Sequence, residues 1–252
     1  MRKIFYFAFL SSLILVSCKK ENEPEVTEEP FIQEVSFSPF FGSDKMTSLN
    51  QVWVMDNGWK MKCNGIKILF TELNLDGEEI FRSAYYDFPN EYQDVFYRKE
   101  MKSKLGGGLS VNLGVSATYN HADPSAFPVD DPLNILNASD MHWSWNPGYI
   151  FYKLDFILDT MMVEGQDNFN HIVSYHIGLD NNLKTVEETN AVSHSLGANK
   201  QQLRMKVDFK SLLFNSENLT MLRDESISHS TGPQAPTASR LANKFSANFT
   251  TY

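Results

Sequence analysis

The chain has 252 residues, a formal net charge of -9, 42% hydrophobic residues and two cysteines. An acidic chain without a basic stripe has nothing to neutralise phosphates, which excludes nucleic-acid binding. Two cysteines rule out a disulfide-stapled scaffold, so a core must carry the fold, and aromatic residues at 13% supply it.

Residues 1–17 read as an export signal: Arg2 and Lys3 precede an apolar run, Ile4 to Val16, that is too short to span a membrane. The run ends in Leu15-Val16-Ser17-Cys18, which resembles the bacterial lipobox, in which the cysteine is lipidated and becomes the mature N-terminus. Lipidation at Cys18 leaves Cys63 as the lone mature thiol and attaches the chain to a membrane through its anchor. Residues 18–33 are charged, proline-bearing and free of aromatics up to Phe31, the composition of a tether. The acidic residues after Cys18 also resemble the export tags of Bacteroidota surface lipoproteins. An extracytoplasmic lipoprotein of the outer membrane, exposed at the cell surface, is the expected location.

Residues 34–252 are expected to form one mostly β domain, an antiparallel β-sandwich-like fold with long loops and one or two short helices. Period-2 alternation predicts strands over Glu34–Phe40, Gln51–Met55, Trp59–Leu75, Phe81–Phe88, Leu109–Ala117, Met141–Asp155, Phe169–Leu179 and Ala198–Phe209. Asp56-Asn57-Gly58 and Asp76-Gly77 mark hairpin turns, because Asn and Gly accept the positive φ such turns need. Asn120 to Asn137, with Pro124, Pro128 and Pro132, reads as a long functional loop. Gly106-Gly107-Gly108 lacks the context of a phosphate-binding loop and reads as a flexible turn. Helices are predicted over Ser211–Met221 and Thr237–Phe249.

No nucleophile elbow or phosphate-cradling motif is present, so an enzyme is not expected. Six histidines occur, none in the HExxH or paired Cys/His spacings of a zinc site. Residue type is more telling. Met141, His142, His171 and His176 lie in or near two predicted strands and offer the imidazole and thioether donors that copper favours. In an ideal strand Met141, Trp143 and Trp145 share one face and His142 points to the other. In the second strand His176 faces with Ser174, and His171 with Tyr175. The same pattern also fits a plain sandwich core with His142 at the surface. His171 and Tyr175 are expected to form a hydrogen-bonded pair. His194 and His229 stand in serine-rich loops, where exposure is the default, with His229 a reserve third ligand. The acidic turns at Asp76, Glu78 and Glu79 and at Asp180 lack the spacing of a calcium loop.

The run MHWSWNPGYIFYKLD at Met141 to Asp155, followed by YHIG at Tyr175 to Gly178, resembles the paired signature of the MbnP-like family of extracytoplasmic copper-binding proteins. Phe37 to Ser43, Gly65 to Gly77 and Leu113-Gly114-Val115 extend the resemblance over most of the mature chain. It implies a β-sandwich-like domain that holds copper through histidines, helped by a tryptophan oxidised to kynurenine by a di-haem peroxidase partner. Carried onto this chain, it points to His142 and His176 as metal ligands, Met141 as a thioether neighbour, and Trp143 or Trp145 as the oxidised residue, with Trp143 then also beside the metal. Methanotroph-associated members continue after the H-x-G motif into a Ser-Thr-Gly-Cys run, whereas Leu179-Asp180-Asn181-Asn182 follows here, so the disulfide that run implies is absent. The implied function is copper capture or storage without catalysis. The alternative is a surface module that uses the same fold for a glycan or protein partner.

Overall fold

A computed structural model describes residues 29–89, 95–137, 139–143, 148–214 and 219–252. The signal, Cys18, most of the tether and Trp145 lie outside the described residues. The strands are β1 (Phe31–Phe41), β2 (Asp44–Lys45), β3 (Trp53–Val54), β4 (Lys60–Leu75), β5 (Glu78–Phe88), β6 (Val95–Met101), β7 (Leu109–Leu113), β8 (Ile150–Asp159), β9 (His171–Gly178), β10 (Lys184–Glu188), β11 (Ser193–Gly197), β12 (Lys200–Asp208), β13 (Ile227–Ser228) and β14 (Phe249–Thr251). Among the described residues, the α-helices are α1 (Ala117–Asn120), α2 (Phe209–Leu213), α3 (Leu219–Asp224) and α4 (Ala235–Asn248).

Two sheets form. The first runs β11-β12-β1-β2, with β6 also on β1 and β14 on β12; the second runs β10-β7-β4-β8-β9-β13, with β3 and β5 also on β4. The ladders are antiparallel except β1 with β12 and β13 with β9. The sandwich forms because alternate residues of both sheets are apolar and bury against each other. Phe37 of the first sheet meets Phe70 at 5.5 Å and Tyr86 at 4.8 Å in the second. Helix α4 closes one end of the core, with Phe245 stacked on Tyr152 at 4.5 Å. Each buried ring of this kind stabilises the fold by about 1.5–3 kcal/mol relative to exposure.

The β4–β5 hairpin turns at Asp76 (φ 49°) and Gly77 (φ 79°), the positive-φ pair that a two-residue turn requires. Asp76 also accepts hydrogen bonds from the Gly106 and Gly108 amides, so the triple glycine is an anchored turn rather than a flexible one.

Several expectations need correction. Phe31 to Gln33, assigned to the tether, already belong to β1: all three pair with β6, and Ile32 and Gln33 also pair with β12. The strand over Leu109–Ala117 ends at Leu113, and α1 opens at Ala117. The single helix over Ser211–Met221 is replaced by α2 and α3. Most consequentially, the strand expected from Met141 does not begin there: Ser139–Met141 is a 3-10 turn, His142 makes an isolated bridge to Tyr149, β8 begins at Ile150, and residues 144–147 lie outside the described residues. The loop from Asn120 to Asn137 is pinned by its own side chains, with Asp131 accepting from Ser83 and from the Leu133 amide.

Candidate metal site

Strand register places the first part of the site. In β8 and β9 alternate residues, among them Leu154 and Tyr175, face the core, so the intervening ones face outward. Lys67 of β4 stands opposite Lys153 of β8, which stands opposite His176 of β9. Because β13 runs parallel to β9 and pairs Ser228 with Tyr175, the next residue, His229, arrives beside His176. The two imidazole centroids are 5.1 Å apart. Ser230, buried and at φ 64°, clamps this approach: its hydroxyl accepts from the Gly178 amide at 3.0 Å and donates to the His176 carbonyl at 3.1 Å.

The second part comes from residues 139–143, which lie on the outer face of the same sheet. Asp140 ion-pairs with Lys67 at 2.5 Å and stands 3.8 Å from Lys153. The His142 ring packs edge-on to Tyr149, at 5.0 Å. Trp143 donates its amide to the Gly148 carbonyl at 3.1 Å, and its buried ring lies against Gly178, where any Cβ would come within 2.8 Å of it. Asp140, His142, Trp143, Lys153, His176 and His229 thus line one open cleft of about 270 Å³.

The protonation states suit metal binding. Asp155 sits 3.3 Å from His176 Nε2 and accepts from the Ser174 hydroxyl at 2.6 Å. Burial alone raises the Asp155 pKa, but the hydrogen bonds from His176 and Ser174 outweigh it and hold the carboxyl below its usual range. An ionised carboxylate only accepts, so Nε2 of His176 is the donor in this contact and Nδ1 is the ring atom left to face a metal. Burial lowers the pKa of His142. Burial, then the neighbouring His176, lowers that of His229 against the pull of Asp155. Both rings are therefore neutral near pH 7, the form that ligates. Among the described residues no group of three or more His, Cys, Asp or Glu side chains converges tightly enough to hold a metal ion as it stands. The arrangement is a close imidazole pair with a third imidazole facing it, which fits two ligands outright and a third only if His142 approaches.

The family model described as MbnP matches residues 34–230. The chain belongs to the MbnP family. The matched span takes in all three cleft histidines and Ser230. Among solved structures, MbnP from Methylosinus trichosporium is similar over 73% of this chain and 77% of its own, with 14% identity and a TM-score of 0.48. No curated protein matches the chain.

Of the residues to which the MbnP resemblance pointed, His142, His176 and Trp143 share the cleft. Met141 is fully buried and is not among the cleft's lining residues. Trp145 lies outside the described residues. The reserve residue, His229, turns out to be the neighbour of His176. The opposite strand faces expected for His142 and Trp143 do not apply, since residues 139–143 are a strap across the sheet rather than part of a strand. His171 and Tyr175 are no pair: His171 Nε2 donates to the Leu222 carbonyl at 2.8 Å, and the buried Tyr175 hydroxyl has no hydrogen-bond partner among the described residues. His194 is half-buried against the Tyr252 carbonyl rather than exposed. His121 pairs with Asp180 at 2.7 Å, which removes that carboxylate from any calcium loop. Cys63 is buried, and burial pushes its thiol up to about 12, so it is inert.

Asp140, Asp155, Ser230 and Lys67 escaped sequence reasoning. Each acts through a partner on another strand, and no local spacing announces it.

Proposed function

We propose that this MbnP family member binds copper outside the cytoplasm and captures or stores it without turnover, with His176 and His229 as the primary ligands and His142 as the third. The observation that carries the reading is the meeting of three imidazoles on one cleft, two of them held neutral by burial and the other oriented by its Nε2 contact with Asp155. Imidazole suits copper, and two neutral rings suffice for a near-linear copper(I) ion. The burial of Trp143, at 5% exposure, favours this reading over a glycan- or protein-binding surface, which needs its indoles accessible. As a wall of the cleft, Trp143 is the described tryptophan whose conversion to kynurenine would bring an amine and a carbonyl beside the metal. A di-haem peroxidase would be the partner for that step. Lipid anchoring through Cys18 at the outer membrane belongs to the same proposal and is supported by the Leu15-Val16-Ser17-Cys18 sequence.

The test is a copper(I) titration of the purified mature protein against a chromophoric chelator, beside a His176→Ala, His229→Ala variant. One tightly held ion in the wild type and none in the variant is expected. Equal uptake by both, or none by either, rejects the reading.

A further inference from the structure

We infer that Asp140 is a positioning residue for this site, tying the strap that carries His142 to the sheet through its ion pair with Lys67. The inference rests on the copper reading for its consequence but not for its geometry. The two halves of the site are held in different ways. His176 and His229 ride on strands whose backbone register fixes them, and Ser230 locks one to the other by two hydrogen bonds. Among the described residues His142 has no such ladder: its backbone makes one isolated bridge, to Tyr149. Two residues earlier, Asp140 reaches down between β4 and β8 and meets Lys67 at 2.5 Å and Lys153 at 3.8 Å.

Lys67 is a prepared anchor. Its side chain is 25% exposed and also lies 3.3 Å from Asp87, so two carboxylates hold its ammonium in place. Desolvation opposes the charge of Lys67, yet the hydrogen bond it donates to Asp140 leads the contributions that raise its pKa above the ordinary lysine value. A partly buried, doubly held cation loses less side-chain freedom on pairing than an exposed lysine does, so this pair outweighs a common surface contact. Lys67 stands opposite Lys153, and Lys153 opposite His176, so Asp140 lands one strand away from the ligand that His142 must face. A residue that orients a ligand in this way typically governs affinity without touching the metal.

The test compares Asp140→Asn and Asp140→Glu with the wild type, using the full mature chain. Two readouts are taken: copper(I) affinity by chelator competition, and amide hydrogen exchange of residues 139–143 in the copper-free protein. Asp140→Asn should weaken copper by about 10-fold or more and speed exchange in 139–143 while leaving β8 and β9 unchanged; Asp140→Glu should recover most of both. In a His142→Ala background the Asn substitution should weaken copper no further. Wild-type affinity and exchange in Asp140→Asn, or an equal loss in the His142→Ala background, overturns the inference. If the wild type takes up no copper the functional reading fails, and exchange alone then decides the positioning role: faster exchange upholds it and unchanged exchange overturns it.

Discussion

Gly178 is the position where fold and site meet most tightly, and replacing it by alanine tests the packing described here. Its backbone is not in the left-handed region, so alanine brings no dihedral strain, and the cost is contact alone. An added Cβ would collide with the Tyr149 carbonyl oxygen and lie 2.8 Å from both Cη2 and Cζ3 of Trp143, against an ordinary contact of 3.4 Å or more. The carbonyl belongs to the backbone and cannot swing away, while the indole is buried and can move only by displacing the strap. Overpacking of this kind costs about 1–3 kcal/mol, which at about 2–4 °C per kcal/mol for a domain of this size lowers the Tm by about 2–12 °C. Denaturant unfolding and thermal melts measure the loss, and indole fluorescence reports the shift of Trp143. Gly65→Ala is the control: nothing lies within 4 Å of its Cβ position, and it should stay within about 0.5 kcal/mol of the wild type. A Gly178→Ala protein as stable as the wild type, with unchanged emission, refutes the packing of Trp143 on β9.

Three further outcomes follow from the same structure. Phe37→Ala removes a ring that contacts Phe70 and Tyr86 of the second sheet and Phe249 of its own, and should cost about 3–5 kcal/mol in denaturant unfolding. Asp131→Ala leaves the Leu133 amide without its acceptor and frees the Ser83 hydroxyl, for a loss of about 1–3 kcal/mol in the same assay. The third concerns pH: His142 and His229 titrate lower folded than unfolded, so below the ordinary histidine value of 6.5 the unfolded chain binds more protons. Copper-free stability should therefore be full above that value and fall as pH drops toward the folded values. A His142→Ala, His229→Ala variant should show a shallower fall between about pH 7 and pH 5; an equally steep one assigns the effect to other groups.

The sequence makes legible what local chemistry decides. Asp76-Gly77 marks a hairpin because only such a pair accepts two positive φ values, and β4, β9 and β12 show as long runs with one buried face. β6, β10 and β11 are missed, since VFYRKEM, KTVEE and SHSLG are polar and largely half-buried or exposed, so little apolar alternation marks them. The run from Met141 misleads in the opposite sense: its aromatic content imitates a strand, while a 3-10 turn at Ser139–Met141 and the Asp140–Lys67 pair hold residues 139–143 as a strap. His142 and His176 are visible as candidates by residue type and family resemblance. That His229 completes the pair depends on a two-residue parallel bridge between β13 and β9, fifty residues apart in the chain, which no spacing rule encodes. Met141 looked like a ligand from its neighbours, but the turn sends it into the core.

The most direct test of the copper site is X-ray absorption on the copper(I)-loaded mature protein. A first shell of imidazole nitrogen, two or three donors with no sulfur scatterer, is expected, together with loss of that shell in the His176→Ala, His229→Ala variant. A sulfur donor from Met141, or a nitrogen shell that survives without His176 and His229, would contradict it.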